Sequence, residues 1–297
     1  MKPILTITVP PLEGRISVSR LLLLNKVSQR LRRRLKQQGI LTCNQEPTLW
    51  STPLYAGDIL ECYLSLDSLE KEELIPYDYP LKILYEDEHL VVINKPAGLL
   101  MHPTAKERYH TVANALMSYY EKSGQKHAFH PVHRLDKDTS GAVIIAKNPI
   151  VQHAFDKSLD NIQKSYLAIV TGFFPAPRAS ICLPIARKDG SIMERTVHPK
   201  GQEARTDIDR INSNQKASYL NITLHTGRTH QIRVHLSHLG HPLLGDDMYG
   251  GSLDDISRQA LHAHHVLFEH PMTKKWHTIT APLPEDIFHL LNKLELL

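Results

Sequence analysis

The chain has 297 residues, of which 41% are hydrophobic and 22% charged, with a formal net charge of +4. This length suits one large domain and one small one, and the composition is that of an ordinary globular protein. No apolar run approaches the roughly 20 residues of a membrane span, and the N-terminus lacks the pattern of a secretion signal, so we expect no membrane partner.

The cysteines indicate the compartment. Cys43, Cys62 and Cys182 are widely spaced and include no Cys-x-x-Cys pair. This favours a reduced, cytoplasmic location and argues against a thiolate zinc site. The small net charge is compatible with a nucleic-acid partner but does not require one, because local clustering of cations matters more than the total.

Residues 1–75 are predicted to form a small separate module. The apolar periodicity predicts a helical segment over residues 15–38, interpreted as a helix pair and ended by Gly39, with short strands at 40–43 and 59–64. The acidic residues 67–80, with two prolines, are predicted to be a linker. The second domain is then residues 76–297.

The densest positive patch of the chain lies within this predicted helix. It consists of Arg30, Arg32, Arg33, Arg34 and Lys36. A run of charges is usually a solvated helix face. The alternative is contact with RNA phosphates, since dense cations supply a salt-dependent attraction that is blind to sequence.

The second domain contains more strand-to-strand connections than strand–helix–strand units. In chain order we predict a hairpin at 81–94, a helix at 111–122, a strand at 142–147, a helix at 149–159, strands at 165–170 and 218–224, a helix from 229 to Gly240, strands at 261–268 and 276–281, and a helix at 284–294. This order favours an α+β domain on a largely antiparallel mixed sheet, with helices packed against it.

One polar loop precedes a buried strand of this domain. Residues 133–141 read HRLDKDTSG, and the β-branched apolar run 142–147 follows them. A carboxylate held in such a loop, here Asp136, can act as a nucleophile or a base. The simpler alternative is a local ion pair between Asp136 and Arg134.

Four stretches together carry a family resemblance. Besides residues 133–141 they are VVINKPAGLL (91–100), KSYLAIVTG (164–172) and TGRTHQIRVH (226–235), the last continuing to Gly250. In this order they resemble the RluA/RluD-like family of RNA pseudouridine synthases, over residues 81 to about 281. The preceding module resembles a small RNA-binding module of the ribosomal small-subunit protein type, with Asn44-Gln45 where that module usually has an Asn-Gly turn.

The resemblance implies specific roles for site residues. Asp136 would be the catalytic aspartate, with Tyr166 and Arg233 completing the pocket. Arg134 would help to hold RNA with the target base turned out, and we expect His133 and Ile232 to contact the substrate as well. The expected partner is structured RNA, first large-subunit ribosomal RNA and second transfer RNA, and we expect a monomer.

The chemistry of pseudouridine formation needs little equipment. The bond from ribose C1′ to the base nitrogen breaks and the uracil rejoins through C5, without redox change or phosphate transfer, so we expect no cofactor and no metal. Asp136 can add to C1′ or take the 2′ proton, and the residues leave both routes open. Arg233 is predicted to grip Asp136 at two points. Tyr166 can stack on the extruded uracil, or it is simply a half-buried strand tyrosine.

Two other classes of function compete with this interpretation. The 19 histidines cluster at residues 225–241 and 262–265, which suggests a zinc hydrolase or deaminase, but neither a His-Glu-x-x-His motif nor a Cys-x-x-Cys pair is present. The other class is a non-catalytic RNA-binding or ribosome-assembly protein. The joint presence of Asp136, Tyr166 and Arg233 argues against it.

Overall fold

The computed structural model describes residues 3–25, 27, 29–64, 74–157 and 162–297. The chain divides into two compact units, Met1–Glu73 and Leu74–Leu297. Within the described ranges, no helix is both long enough and apolar enough to cross a membrane.

The N-terminal unit combines two small antiparallel sheets with two helices. Its elements are β1 (Leu5–Thr8), β2 (Ile16–Ser17), α1 (Val18–Leu24), α2 (Gln29–Gln38), β3 (Gly39–Cys43), β4 (Glu46–Pro47), β5 (Pro53–Leu54) and β6 (Ile59–Leu64). The four-stranded sheet has the order β1-β6-β3-β4, and β2 pairs with β5. Side chains from both helices and from this sheet share one apolar core.

The helical pattern predicted over residues 15–38 forms two helices, α1 and α2. Ser17 caps α1, its hydroxyl accepting a hydrogen bond from the Arg20 amide at 3.2 Å. At the other end the Leu21 carbonyl accepts hydrogen bonds from the Asn25 backbone amide at 3.1 Å and from the Asn25 side chain at 2.9 Å.

The turn after β3 forms without its usual glycine. Asn44 and Gln45 both have positive φ, 53° and 70°, as a two-residue hairpin turn of this kind requires. The Asn44 side chain donates to Asp58 and accepts from the Ile59 amide, each at 2.9 Å. These two bonds help to hold a backbone conformation that glycine would adopt without strain.

The C-terminal unit is built on a ten-stranded sheet. Eight of its strands follow the order β12-β15-β16-β11-β17-β10-β8-β7, and the other two lie off this path, β18 paired with β17 and β9 paired with β10. The described strands of this unit are β7 (Lys82–Glu86), β8 (Leu90–Lys95), β9 (His130–Pro131), β10 (Ser140–Ala146), β11 (Ile162–Thr171), β12 (Arg178–Ile181), β13 (Ile185–Arg187), β14 (Arg195–Val197), β15 (Thr206–Ser213), β16 (Ala217–Leu224), β17 (Leu261–Glu269) and β18 (Trp276–Thr280). Of these, β13 and β14 pair with each other in a separate two-stranded sheet. Its α-helices are α3 (Val112–Lys122), α4 (Pro149–Lys157), α5 (Gln231–His238) and α6 (Glu285–Lys293).

This sheet is mixed, and the predicted α+β class is confirmed. Among the described strands of the sheet, the pairs are antiparallel except that of β10 with β17. Side chains of α3 and α5 share a core with Val143 and Ile145 of β10. Those of α4 pack with Ala142 and Ile144, the alternate residues of the same strand. Helices therefore cover both faces of β10, whose residues are all buried.

A close approach joins the two parallel strands. Gly141 has φ +118°, and a Cβ built on it would lie 2.2 Å from the Ala263 carbonyl oxygen. Only glycine fits between these backbones. Because Gly141 follows Asp136 by five residues, this contact fixes where the Asp136 loop joins the sheet.

The predicted linker is partly wrong. Residues 65–73 lie outside the described residues, but residues from Leu74 onward pack on the C-terminal unit. The Asn114 side chain donates to the Ile75 carbonyl at 2.8 Å, and the Tyr77 amide donates to the Asn114 carbonyl at 3.1 Å. Asp78 also forms an ion pair with Lys122 of α3. This part of the acidic stretch is thus an ordered strap rather than a free tether.

Candidate active site

A cavity of about 420 Å³ lies at one end of β11 in the C-terminal unit. Its walls are the loop at residues 132–139, the first half of β11 and the segment from Leu224 to Arg233. Every site residue predicted for this unit lines the cavity. They are His133, Arg134, Asp136, Tyr166, Ile232 and Arg233. The fold therefore brings together residues that lie 100 positions apart in the chain.

The loop that carries Asp136 is anchored from beneath by Lys95 at the end of β8. The Lys95 side chain is fully buried, and its Nζ donates to the carbonyls of Pro96, Lys137 and Thr139 at 2.8, 2.7 and 2.9 Å. All three hydrogens of the ammonium group are used in this way. The Thr139 amide also donates to the Asp136 carbonyl at 3.2 Å, which closes a tight turn.

A second cation holds the same loop through another carbonyl. Arg258 Nη1 donates to the Asp138 carbonyl at 3.1 Å. Its Nε and Nη2 donate to Asp286 of α6 at 2.6 and 2.9 Å. The loop backbone is therefore attached both to β8 and, through Arg258, to the C-terminal helix.

The Asp136 carboxylate is one-quarter exposed and has two different oxygens. Oδ2 lies 3.4 Å from Arg233 Nη1 and 3.8 Å from His230 Nε2. In the part of the chain that the structure describes, Oδ1 has no hydrogen-bond partner. One oxygen thus faces a guanidinium and an imidazole, while the other is available to a bound molecule.

Arg233 is oriented mainly by a different carboxylate. Its Nε and Nη2 each lie 2.7 Å from an oxygen of Asp246, whose side chain is fully buried. The predicted two-point grip of Arg233 on Asp136 is therefore wrong: the fork binds Asp246, and only Nη1 reaches Asp136. Burial acts to lower the pKa of Arg233, but the hydrogen bonds and charge of Asp246 outweigh it and raise the pKa.

His230 is a site residue that the sequence did not reveal as one. It precedes α5 with φ +58°, and its Nδ1 lies 2.8 Å from the Tyr249 hydroxyl oxygen. That oxygen also accepts a hydrogen bond from the Arg195 amide at 2.9 Å. Burial lowers the pKa of His230, although the charge of Asp136 opposes the shift, so the ring is neutral at neutral pH.

Tyr166 lies on β11 with only 5% of its surface exposed. Burial, and secondarily the charge of Asp136, raises the pKa of its hydroxyl above the ordinary range. The phenol is therefore protonated at neutral pH. Because its hydroxyl keeps its proton, Tyr166 is better suited to contact a nucleobase through its ring than to act as a general base.

The remaining predicted residues occupy distinct positions around the cavity. His133 Nε2 accepts a hydrogen bond from the Ile144 amide at 3.2 Å, so Nδ1 carries the hydrogen, and burial lowers the pKa of the ring to about 3. Arg134 is exposed and Ile232 is buried. Lys164, which sequence reasoning did not select, also lines the cavity, and burial lowers its pKa.

The histidine clusters do not assemble a metal site. Among the residues that the structure describes, no group of three or more His, Cys, Asp or Glu side chains is arranged to hold a metal ion. His225 instead contacts Asp207 at 2.6 Å, and His235 contacts Thr206 at 2.9 Å. His262 is buried, 2.9 Å from the Ser140 hydroxyl.

The five cations predicted to bind RNA all lie on α2. Arg33 and Lys36 are exposed and Arg32 is half-buried. The side chains of Arg30 and Arg34 lie outside the described part of the structure. At least two of the five predicted cations are therefore accessible to a charged partner.

Comparison with known proteins decides the family. The family model for RNA pseudouridylate synthases matches residues 89–238, a range that includes Asp136, Tyr166 and Arg233. The chain belongs to this family. The predicted enzyme class, an RNA pseudouridine synthase, is thereby confirmed.

Relatives agree with this assignment. This synthase is 38% identical to the uncharacterized RNA pseudouridine synthase YjbO of Bacillus subtilis, over 86% of its own length and 90% of the relative's. It is 37% identical to the ribosomal large subunit pseudouridine synthase D of Pasteurella multocida, over 82% and 79% of the two lengths. The predicted membership of the RluA/RluD-like family is confirmed.

Solved structures share the fold of this synthase. Human RNA pseudouridylate synthase domain containing 4 superposes with a TM-score of 0.59 at 25% identity, covering 72% of this chain and 93% of that one. Human RNA pseudouridylate synthase domain containing 1 gives a TM-score of 0.57 at 25% identity, covering 70% and 85%.

Proposed function

We propose that this pseudouridine synthase converts specific uridines of large-subunit ribosomal RNA to pseudouridine, with Asp136 as the essential carboxylate. The observation that carries the role of Asp136 is its asymmetric environment. Oδ2 is turned toward Arg233 and His230, and Oδ1 has no hydrogen-bond partner among the described residues. The choice of RNA rests on the relative named as a ribosomal large subunit synthase.

The reaction is an internal rearrangement of one nucleotide. The C1′–N1 bond breaks, the uracil turns, a C1′–C5 bond forms, and the hydrogen of C5 is replaced by one on N1, so atoms and electrons balance. The unpartnered oxygen Oδ1 can add to C1′ or take the proton at C2′, and both routes need an ionised carboxylate.

The remaining cavity residues would receive the flipped nucleotide. The volume of about 420 Å³ lies within the range of roughly 300–1,000 Å³ typical of small-molecule sites. The ring of Tyr166 and the side chain of Ile232 supply apolar surface for the uracil. Arg134 is exposed at the cavity edge and is suited to a phosphate. His133 lines the cavity, but its Nδ1 is buried, so its contribution is to the shape of the wall.

The N-terminal unit would add affinity rather than chemistry. Arg33 and Lys36 project from α2 without burial, and cations of this kind bind RNA phosphates irrespective of base sequence. Together with Arg30, Arg32 and Arg34 they form the RNA-binding surface that we propose for this unit. Its role in binding is separate from that of the cavity residues.

The proposal is tested by mapping pseudouridines in cellular RNA with and without the gene, then repeating the reaction on an unmodified transcript. We expect at least one large-subunit ribosomal uridine to require the gene and to be converted by the purified wild-type enzyme. Asp136→Asn should form no product while binding the transcript normally, because the phosphate contacts lie elsewhere. Turnover by Asp136→Asn within about tenfold of wild type would remove Asp136 from the mechanism. If the gene-dependent sites were found only in transfer RNA, transfer RNA would replace large-subunit ribosomal RNA as the substrate.

A further inference from the structure

His230 adopts a backbone conformation that non-glycine residues rarely show. Its φ of +58° places it in the left-handed region immediately before α5. Such strain persists only where the surroundings enforce it, and it is often found at functional sites. Here it directs Nε2 of the ring toward Asp136, 3.8 Å from Oδ2.

The contact with Tyr249 bears on which ring nitrogen of His230 carries the hydrogen. The Tyr249 hydroxyl accepts from the Arg195 amide and can donate its own hydrogen to His230 Nδ1, 2.8 Å away. If Nδ1 accepts, the neutral imidazole must carry its hydrogen on Nε2. In this tautomer the side of the ring that faces Asp136 is a donor, and a hydrogen bond from Tyr249 stabilises it.

The gap between Nε2 and Oδ2 fits the oxygen of a hydroxyl group or of a water molecule. At 3.8 Å the two atoms are too far apart for a direct hydrogen bond, yet a third atom can lie at about 2.8 Å from both. That atom must accept from Nε2–H and donate to a carboxylate oxygen, which a hydroxyl does. Within an RNA strand the 3′ oxygen is esterified, so the free hydroxyl of an internal nucleotide is the one at 2′.

We propose that His230 Nε2 and Asp136 Oδ2 together bind the ribose 2′-hydroxyl of the target nucleotide, which makes His230 a specificity-determining residue for RNA over DNA. This inference rests on the proposed function, because it assumes that the target sugar lies at Asp136. It assigns the two carboxylate oxygens different tasks: Oδ2 holds the sugar and Oδ1 reacts. Tyr249, which acts through His230, is a positioning residue.

The test measures three enzymes on two substrates and compares the effect of each protein change with the effect of the substrate change. The substrates are an RNA stem-loop containing the mapped target uridine and the same RNA with 2′-deoxyuridine at that position. The enzymes are wild type, His230→Asn and Tyr249→Phe. Asparagine tolerates the left-handed conformation but is too short to place a donor near Asp136, and phenylalanine keeps the ring over which Arg233 lies at 4.9 Å.

Wild type should show a large ratio of kcat/KM between the two substrates. In both variants we expect this ratio to shrink by about tenfold, because the ribose substrate loses a hydrogen bond that the deoxyribose substrate never made. An unchanged ratio in both variants, with activity lowered equally on both substrates, would overturn the inference. A wild type that does not convert the ribose substrate would instead overturn the proposed function. Thermal denaturation of both variants separates these outcomes from misfolding.

Discussion

Arg233 and Asp246 form a buried two-point ion pair, with both nitrogen–oxygen distances at 2.7 Å. This pair leaves a single nitrogen, Nη1, for Asp136 at 3.4 Å. Asp246 therefore sets the orientation of the guanidinium, and Asp136 receives only its remaining hydrogen-bonding capacity. The site thus contains a fully buried carboxylate and a partly exposed one, joined by one arginine.

Removal of Asp246 should destabilise the whole protein. Asp246→Ala leaves a buried guanidinium without its main partner, and breaking such a pair is worth roughly 3–5 kcal/mol. Denaturant unfolding should show a loss of that order. Asp247→Ala changes the adjacent, exposed carboxylate and is the matched control. Equal stability of the two variants would mean that the ion pair contributes nothing to folding.

Stability should decline on the acid side of neutrality because of His262. Burial lowers the pKa of this histidine from 6.5 to about 4. Below pH 6.5 this histidine binds a proton in the unfolded state but not in the folded state. Its contribution to the free energy of unfolding is therefore fully present above pH 6.5 and is lost progressively down to about pH 4. The slope contributed by one such proton is about 1.4 kcal/mol per pH unit.

Unfolding free energies measured between pH 4 and 7.5 test this assignment. His262→Gln should reduce the slope by about one proton. His153→Gln, at an exposed position of α4, should leave the slope as in wild type. If both variants follow the wild-type slope, the acid sensitivity arises elsewhere.

The close approach at Gly141 gives a steric prediction. Gly141→Ala would place a Cβ 2.2 Å from the Ala263 carbonyl oxygen, so β10 and β17 must separate and the Asp136 loop must move. We expect a lower unfolding temperature and, even in the folded fraction, a reduced kcat. Gly190→Ala is the control: Gly190 also has a positive φ, +75°, but a Cβ built on it would meet nothing within 4 Å. Gly190→Ala should lower the free energy of unfolding by about 1 kcal/mol from backbone strain alone, with normal kcat.

The basic surface of α2 should determine the salt dependence of RNA binding. The double variant Arg33→Gln/Lys36→Gln removes two exposed cations from the full chain. If both contact phosphates, the slope of log affinity against log salt should fall by about 1.4 to 1.8, with the maximal rate on a saturating short stem-loop unchanged.

Arg15→Gln/Arg20→Gln is the matched control, because it removes the same charge from exposed positions of the same unit. The comparison uses initial rates over a salt series. A slope that changes equally in both double variants would reduce the effect to net charge. An unchanged slope would make the α2 cations an ordinary solvated face.

Much of the catalytic fold was predictable because its signals are local. The hairpin of β7 and β8, the cap at Thr111 before α3 and the proline at the start of α4 each act within a few residues. The prediction that Asp136, Tyr166 and Arg233 lie in one pocket was based on the order of the motifs, which resembles that of the family. That convergence is geometric, and it leaves the role of each residue to experiment.

Other features depend on non-local contacts that no pattern in the sequence encodes. The choice of Asp246 over Asp136 as partner for the Arg233 fork depends on where the chain after α5 returns to the cavity. The same return brings Tyr249 to His230.

One short turn controls both groups that face Asp136. Asp246 holds Arg233, and Tyr249, at the end of the 3-10 helix Asp247–Tyr249, holds His230. The Tyr249 amide donates to the Asp246 carbonyl at 3.1 Å and closes this turn. A local opening there would release both partners of the carboxylate in the same event. Catalytic competence should therefore be lost as one cooperative step, and hydrogen exchange at the Tyr249 amide would report the fraction of molecules able to react.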